Sequence, residues 1–178
     1  MKIRSQQPND ENAIAKLFHK VFSDSEGEQE GKLIGQLATE MIATTEAQDL
    51  YGFVAIEEVQ IVGAIFFSRL TFETENNVFI LSPVAVDTEH QSQGIGQSLI
   101  RHGLAELKNQ GVRFAITYGD PAFYSKVGFH SIATTELAPP YSLSQPEGWL
   151  GQSLTDDPIG MIPGHSVCVK ALDNPVYW

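Results

Sequence analysis

The sequence predicts a mixed α/β fold in which a central, mostly antiparallel sheet is flanked by helices. Two stretches near the start carry apolar residues at helical spacing, and the stretches after them change to strands rich in Val, Ile and Phe. A strand–helix–strand unit follows. Such a unit forms a crossover, so it predicts one parallel pair of strands within the sheet.

The first part of the chain predicts a short strand over residues 2–5 and two helices. Asn9 or Asp10 can cap a helix over 11–22, and a second helix over 29–44 follows a polar segment, 23–31. Each helix has one apolar stripe, so we expect both to cover the sheet.

The middle of the chain predicts the strands. Residues 51–57 and 60–71 are typical of a hairpin, and 77–86 predicts a third antiparallel strand. A helix over 96–110 leads to a strand over 112–118, which is expected to be the parallel partner of the third strand.

The last part of the chain is expected to be less regular. A short helix over 122–126 is expected to end at Gly128, and two extended pieces, 129–133 and 136–138, follow it. A long, partly irregular stretch with Trp149 and Leu150 as anchors covers 139–163, and a final strand covers 164–171. The length of 178 residues predicts one domain over 1–178, with its core at 50–135 and a less regular part at 136–178.

The net charge of −11, from 11 Lys and Arg against 22 Asp and Glu, excludes two classes of partner. Nucleic acids and anionic membranes are bound by clustered basic residues, so neither is expected. Two interpretations of the acidity stay open. It favours a cationic substrate such as an amine, or it serves solubility alone.

The chain is expected to be cytoplasmic. Charged residues interrupt the first twenty residues, and the longest apolar run, 61–67, is too short to span a bilayer. Cys168 is the only cysteine and is expected to be a buried structural thiol, which agrees with a reducing compartment. The five histidines lack the spacing of metal ligands, so no metal is expected.

Residues 81–96 carry the strongest local signal. An apolar strand passes through a polar loop into two glycines, Gly94 and Gly96, at the start of the predicted helix. The first N–H groups of a helix have no internal partner, and glycines let an anion approach them, which predicts a phosphate site. The dinucleotide fingerprint fails because its third glycine is Leu99, and the phosphate loop of nucleotide hydrolases fails because no Lys follows Gly96. A helix start without a ligand is the alternative.

Pro83 lies inside the third predicted strand. A proline removes a donor from the hydrogen-bond ladder, so it belongs at an edge, a bulge or a split in the sheet. A strand that splays from its neighbour has free backbone groups, beside which a ligand with amides can dock as a further strand. The alternative is an irregularity of the strand end without function.

Four motifs stand in order along the most informative part of the chain. They are Val84-Ala85-Val86, Gln91-Ser92-Gln93-Gly94-Ile95-Gly96, Gly119-Asp120-Pro121 and Tyr124-Ser125-Lys126-Val127-Gly128-Phe129. Together they resemble the GNAT superfamily of acyl-CoA-dependent N-acetyltransferases, and the last two resemble a bacterial branch with a loosely structured C-terminal part. The resemblance covers 1–135 in order of elements. It implies a GNAT-like sheet with a splayed parallel strand pair.

The resemblance also implies transfer of an acetyl group from acetyl-CoA to a primary amine by direct attack, without a covalent enzyme intermediate. Backbone groups of Val84, Ala85 and Val86 would pair with the pantetheine arm of coenzyme A. The amides of residues 91–96 would hold its pyrophosphate. The implied cofactor-binding residues are Val84, Ala85, Val86, Gln91, Ser92, Gln93, Gly94, Ile95, Gly96, Gly119 and Phe123. Gln91 lacks the charge of the Arg that is common at this position, so affinity would rest more on the amides.

Tyr124 stands where the family's general acid stands. A phenol with an ordinary pKa of about 10 is protonated at neutral pH and can donate a proton to a departing thiolate. The alternative is a tyrosine that only packs. A general base is not identified, because each candidate reads as a solvated loop charge: Glu73, Glu75, Asp87, Glu89 and Asp120. For Asp120 we prefer a cap of the short helix that follows it.

Two other classes of function stay open: a non-catalytic acyl-CoA-binding sensor or interaction module, and a structural domain without a cofactor. The acceptor amine, a small molecule or a peptide, is not identified. The resemblance implies that substrate contacts come from the first two helices, the loop between them and the C-terminal part, which show the fewest motifs. Tyr177 and Trp178 are expected to anchor the chain end, with a contact to a second copy in a homodimer as the alternative.

Overall fold

A seven-stranded sheet forms the centre of the fold. The computed structural model describes residues 1–178. The strands are β1 (Lys2–Ser5), β2 (Leu50–Glu57), β3 (Gln60–Leu70), β4 (Val78–Val86), β5 (Phe114–Tyr118), β6 (His130–Ser131) and β7 (Trp149–Ser153). The helices are α1 (Glu11–Glu26), α2 (Glu28–Thr44), α3 (Ile95–Asn109) and α4 (Pro121–Tyr124). The sheet order is β1-β2-β3-β4-β5-β7-β6, and the β4–β5 pair is parallel. The predicted mixed α/β fold is therefore confirmed.

The chain divides into two compact units. The first unit contains Met1–Phe67 and Pro83–Gly103, and the second contains Ser68–Ser82 and Leu104–Trp178. The boundaries fall within β3, β4 and α3, so each of these elements has residues in both units. The single domain expected from the sequence stays a prediction.

The first unit packs α1 and α2 around a core of aromatic and aliphatic side chains. Phe18 of α1 is fully buried and stacks on Phe66 of β3, with 6.1 Å between the ring centroids. Leu37 and Met41 of α2 are equally buried. The apolar stripes read from the sequence therefore face the core, as predicted.

The joint between α1 and α2 differs from the prediction. The segment 23–31 was expected to be a polar connection, but α1 continues to Glu26 and α2 begins at Glu28. Gly27 alone joins them, at a φ of 100° that favours glycine. The polar residues around it lie on exposed helix surface, which is why their composition resembled a loop. The helices approach closely: a Cβ built on Gly31 would lie 2.5 Å from the His19 carbonyl oxygen.

The second unit is built around β5. Its parallel register with β4 runs from Val78↔Phe114 to Leu81↔Thr117 and stops there, although β4 continues to Val86. On its other edge β5 pairs antiparallel with β7. The crossover from β4 through α3 to β5 is thus the parallel unit that the sequence predicts.

The C-terminal part contains two corrections. Residues 149–153 form β7, a strand that was not predicted within the partly irregular stretch 139–163. The final strand predicted over 164–171 is wrong: only Val167 makes a bridge, to Thr71, and a 3-10 turn covers Lys170–Leu172. The extended pieces predicted at 129–133 and 136–138 shrink to β6 and to one bridge from Leu137 to Ile162.

Two tryptophans anchor this part of the chain. The Trp149 side chain is fully buried, and its indole N–H donates to the Leu137 carbonyl at 2.8 Å. Trp178 is also buried and stacks on Tyr118, with ring centroids 6.5 Å apart. Trp178 therefore packs within its own chain, as the anchor interpretation expected, and does not belong to an exposed aromatic pair.

Cys168 is buried and free, as expected, although it does not lie in a strand. Burial, and after it the negative charge of Asp173, raises the pKa of its thiol to about 11. A thiol of this kind is unreactive near neutral pH. No helix of this protein has the length and apolar character needed to cross a bilayer.

Candidate functional site

In the second half of β4, buried and half-buried residues alternate along the strand. Pro83 and Ala85 are buried, whereas Val84 and Val86 are half-buried. Pro83 lies in the part of β4 that follows the last parallel pair with β5. This position agrees with the expectation that the proline lies at an edge, a bulge or a split in the sheet.

The loop after β4 is held by α1. The Asp87 carboxylate accepts a hydrogen bond from the Glu89 amide at 3.0 Å and caps a 3-10 turn over Thr88–His90. Lys20 of α1 donates to the same carboxylate at 2.7 Å. The hydrogen bond from Lys20 is the main reason why the pKa of Asp87 lies below its ordinary value. Asp87 is therefore a structural anion of the loop and no free base.

The side chain of Gln91 forms a hydrogen bond back to the end of β4. Its side-chain amide donates to the Val86 carbonyl at 3.0 Å. This carbonyl is thus engaged, although the backbone groups of Val84, Ala85 and Val86 were predicted to be free for a ligand. The Gln91 amide has a second proton, so the residue fastens the loop and keeps one donor.

The loop then takes two left-handed residues. Ser92 has a φ of 62° and Gly94 a φ of 81°, and Gln93, between them, is exposed. Left-handed residues in such a loop turn neighbouring backbone N–H groups towards one concave surface, which is a common way to bind an anion. Ser92 adopts a conformation that few residues other than Gly, Asn and Asp accept.

Helix α3 begins immediately after this loop. The first intrahelical bond of this turn runs from the Ser98 amide to the Gly94 carbonyl at 3.0 Å. The amides of Ile95, Gly96 and Gln97 precede that bond and have no acceptor within the helix. A Cβ built on Gly94 would meet nothing within 4 Å, so the space beside this residue, directly before the helix, is open. The predicted strand, loop and helix start are present, and they suit an anion such as a pyrophosphate.

The second unit carries the Gly119-Asp120-Pro121 motif at the end of β5. The Asp120 carboxylate accepts from the Ala122 amide at 2.9 Å and caps α4, which confirms the preferred interpretation of this residue. The short helical segment, α4 followed by a 3-10 turn over Ser125–Val127, stops at Gly128, whose φ of 94° ends it as predicted.

Aromatic rings and a glycine enclose the Tyr124 ring. A Cβ built on Gly119 would lie 2.6 Å from Tyr124 Cε2, so the ring lies against bare backbone. The rings of Phe123 and Phe129 meet that of Tyr124 edge to face, at centroid distances of 5.0 and 5.8 Å. Phe129 is buried and Phe123 half-buried. The motif residues of the second unit thus build one aromatic cluster.

The phenol of Tyr124 is less acidic than an ordinary tyrosine. Part of the Tyr124 side chain is accessible to solvent. Protein atoms nevertheless surround the phenol group, and this burial raises its pKa to about 12. The Thr117 hydroxyl acts in the opposite direction, and the negative charge of Asp120 raises the pKa further. Tyr124 is therefore fully protonated at neutral pH.

Thr117 is absent from the site predicted from the sequence. Its side chain is fully buried in β5, and its hydroxyl donates to the Leu81 carbonyl at 3.0 Å. Leu81 and Thr117 are also the last parallel pair of β4 and β5. The sequence signal was a hydroxyl residue directly after the apolar run Phe114-Ala115-Ile116.

The remaining candidate bases are exposed, as expected of loop charges. Glu73, Glu75 and Glu89 all lie at the surface. The structure contains no group of three or more His, Cys, Asp or Glu side chains that could hold a metal ion.

The predicted site residues fall into two groups. The first unit contains Val84, Ala85, Val86 and the loop of residues 91–96, and the second contains Gly119, Phe123 and Tyr124. Within each unit some of these residues are in contact: Gln91 with Val86, and Tyr124 with Gly119 and Phe123. Their roles towards a cofactor stay predictions.

Comparisons with known proteins agree with this arrangement. A family model described as an acetyltransferase (GNAT) domain matches residues 48–131. The uncharacterized N-acetyltransferase YhbS of Escherichia coli strain K12 is 32% identical over 139 residues, which span 77% of this chain and 78% of YhbS.

Two crystal structures share the fold. That of YhbS from Escherichia coli in complex with CoA superposes with a TM-score of 0.84 at 24% identity, over 97% of this chain and 92% of that one. That of a GNAT family acetyltransferase from Brucella melitensis in complex with acetyl-CoA has a TM-score of 0.76 at 26% identity, over 97% of each chain. From its sequence relatives and its fold, this chain belongs to the GNAT family of N-acetyltransferases.

Proposed function

We propose that this protein transfers the acetyl group of acetyl-CoA to a primary amine by direct attack. The observation that carries the proposal is the start of α3, where amides without a helical acceptor follow a loop with two left-handed residues. The relative from Brucella melitensis binds acetyl-CoA with the same fold, which supports the same ligand here.

The cofactor-binding residues of the proposal lie in β4 and the loop after it. Amides of residues 91–97 would hold the pyrophosphate, since they supply donors without any basic side chain. This explains how a chain of net charge −11 binds a polyanion. Val84 and Ala85 would pair with the amide-bearing arm, whereas the Val86 carbonyl already accepts from Gln91. Gly119 and Phe123 are the further contacts proposed in the second unit.

Acetyl-CoA supplies a thioester, and the amine forms the new C–N bond as the C–S bond breaks. Tyr124 is the proposed general acid, which gives its phenolic proton to the sulfur of the departing thiolate. The phenol then regains a proton from solvent. The aromatic cluster around Tyr124 fixes its ring. A pKa of about 12 keeps the phenol protonated until the thiolate departs.

The amine has to lose a proton as well. Asp87 is bonded to Lys20 and Asp120 caps α4, so neither carboxylate serves as a free base. We propose that water accepts this proton. The acidic surface favours a cationic acceptor, either a small amine or a peptide amine. A cytoplasmic location is part of the proposal, and the single free cysteine supports it.

A second candidate function is binding of acyl-CoA without turnover, as a sensor or interaction module. The observation that favours it is that Asp87 and Asp120, two of the candidate bases, are engaged in structural hydrogen bonds. One experiment separates the two functions. Isothermal titration with CoA measures binding, and thiol release from acetyl-CoA measures turnover with a panel of amines, polyamines, amino acids and peptide N-termini.

The proposed enzyme binds CoA and releases thiol with at least one amine class. Binding without turnover on every amine would favour the module, and the absence of CoA binding would overturn both functions. Peptide acceptors are included because the family membership alone does not select between small and peptide amines.

A further inference from the structure

A cleft of about 520 Å³ lies in the first unit, between α1 and the hairpin of β2 and β3. Ala13, Leu17 and Lys20 line one wall, and their spacing places them on one face of α1. The opposite wall is the hairpin, with Val59 in its turn. None of the predicted cofactor-binding residues lines this α1 cleft. Its volume is that of a site for a small molecule.

One side of the α1 cleft is apolar. Leu17 is buried, Ile56 and Ile61 are half-buried, and all three line the cleft. Val59 is 92% exposed, more than any other large apolar side chain of the protein. An apolar group bound here would remove part of this surface from water, which is favourable in free energy. The α1 cleft is therefore suited to the apolar part of a ligand.

The charge of the α1 cleft is opposite in sign to that of the whole chain. Three of the 11 Lys and Arg residues line it, namely Arg4, Lys16 and Lys20, against two of the 22 Asp and Glu residues, Asp10 and Asp87. Each carboxylate already has a cationic partner. Asp10 pairs with Arg4 at 2.6 Å, and Asp87 pairs with Lys20 at 2.7 Å. The positive charge of Lys16 is therefore uncompensated within the cleft, although the net charge of the chain is −11.

The two lysines of the α1 cleft keep hydrogen-bond donors for a ligand. Lys16 forms no ion pair or hydrogen bond within the chain. Lys20 lies one helical turn further along the same face of α1. An ammonium group has three protons, and Lys20 gives one of them to Asp87. Charged donors beside an apolar surface form the pattern that recognises an anionic group on an apolar tail.

We propose that the α1 cleft binds a small organic carboxylate with an apolar tail. The carboxylate lies between Lys16 and Lys20, and the tail lies along the apolar side, where Val59 covers it. This site is distinct from the proposed pyrophosphate site, because it uses side-chain cations and apolar contacts, whereas the start of α3 offers backbone amides. Binding is non-covalent and requires neither CoA nor an amine.

The first test follows the backbone amide signals of the full chain in two-dimensional proton–nitrogen NMR spectra during titration with octanoate. Octanoate combines a carboxylate with an apolar tail, and we expect saturable shifts that are largest at residues 13–20 and 56–61. Acetate has no such tail and should bind at least about tenfold more weakly. Octylammonium has a similar tail with the opposite charge and should cause no saturable shifts there. The absence of saturable octanoate shifts, equal shifts with octylammonium, or shifts centred on residues 91–97 would each overturn the proposal.

The second test changes exposed residues, so the core stays intact. Val59→Glu should weaken octanoate binding about tenfold, since it adds a like charge at the rim and removes an apolar contact. Lys16→Met should weaken it about two- to fivefold, the contribution of an exposed ion pair. Val176→Glu and Lys108→Met make the same changes at exposed positions outside the cleft and should keep the wild-type affinity. Wild-type affinity in Val59→Glu or in Lys16→Met would overturn the proposal. Neither CoA nor an amine is present, so the result does not depend on the proposed function.

Discussion

Gly119 and Tyr124 are packed so closely that a Cβ on Gly119 would lie 2.6 Å from Cε2 of the tyrosine ring. Only a glycine leaves room for the ring at this point. The glycine of the Gly119-Asp120-Pro121 motif therefore has a steric task in addition to any contact with a cofactor.

Gly119→Ala should displace the Tyr124 ring and lower kcat by up to about 100-fold, because small shifts of a catalytic group cost that much. Steady-state thiol release with acetyl-CoA measures the effect. Gly160→Ala is the control, since a Cβ there would meet nothing within 4 Å. Equal kcat values for the two variants would show that the position of the ring does not matter.

Gly94→Val should abolish CoA binding, because the side chain would enter the space in front of the amides at the start of α3. Gly111→Val is a matched control, since both glycines have a φ of 81° and open space around a built Cβ. Both variants should lose about 1–2 kcal/mol of stability from the strained backbone. Isothermal titration with CoA should then show that Gly94→Val has lost CoA binding and that Gly111→Val has kept it. If Gly94→Val keeps its affinity for CoA, the pyrophosphate site lies elsewhere.

Asp10→Asn should destabilise the fold at pH 7 by about 2 kcal/mol, the usual contribution of a hydrogen bond between charged groups. Asp10 is buried and accepts from both guanidinium nitrogens of Arg4, at 2.6 and 3.0 Å. The Arg4 hydrogen bond is the main cause that lowers the pKa of Asp10.

The effect of Asp10 on stability depends on pH with a defined sign. A carboxyl with a lowered folded-state pKa stabilises the fold above its ordinary pKa of about 3.9, and this stability disappears as the pH falls through the folded-state value. Urea unfolding at pH 7 and at pH 3 should therefore show a smaller difference between wild type and Asp10→Asn at pH 3. The exposed Asp156→Asn is the control. A difference of the same size at both pH values would exclude the ion pair as its source.

The sequence predicted the helices and central strands well because their residue patterns are local. The apolar stripes of α1 and α2 and the crossover from β4 to β5 are visible in the order of residue types. The start of α3 was predicted within one residue, at Gly96 instead of Ile95. Here local preference and tertiary structure agree.

The sequence could not predict β7, because that strand depends on its partners. Residues 149–153 follow a proline-rich stretch, and they become a strand through pairing with β5 and through burial of Trp149. The alternating pattern at 164–171 resembles a strand, but only Val167 finds a backbone partner there, at Thr71. Strand formation is decided by such neighbours more than by propensity.

The candidate site, like the fold, could be predicted from the sequence only in part. The residue types of the motifs located the loop of residues 91–96 and Tyr124. The engagement of Val86 by Gln91 and the contact between Thr117 and Leu81 depend on three-dimensional placement and leave no pattern in residue types. The rise of the Tyr124 pKa to about 12 also depends on placement, since burial is its main cause.

The most direct test of the account is the rate of thiol release by Tyr124→Phe, compared with wild type on the same amine. The variant keeps the ring and its aromatic contacts and lacks only the hydroxyl. We predict a kcat lower by about 100- to 10,000-fold, the usual contribution of a general acid, with unchanged affinity for acetyl-CoA by isothermal titration. A kcat equal to that of the wild type would contradict the assignment of Tyr124 as the general acid.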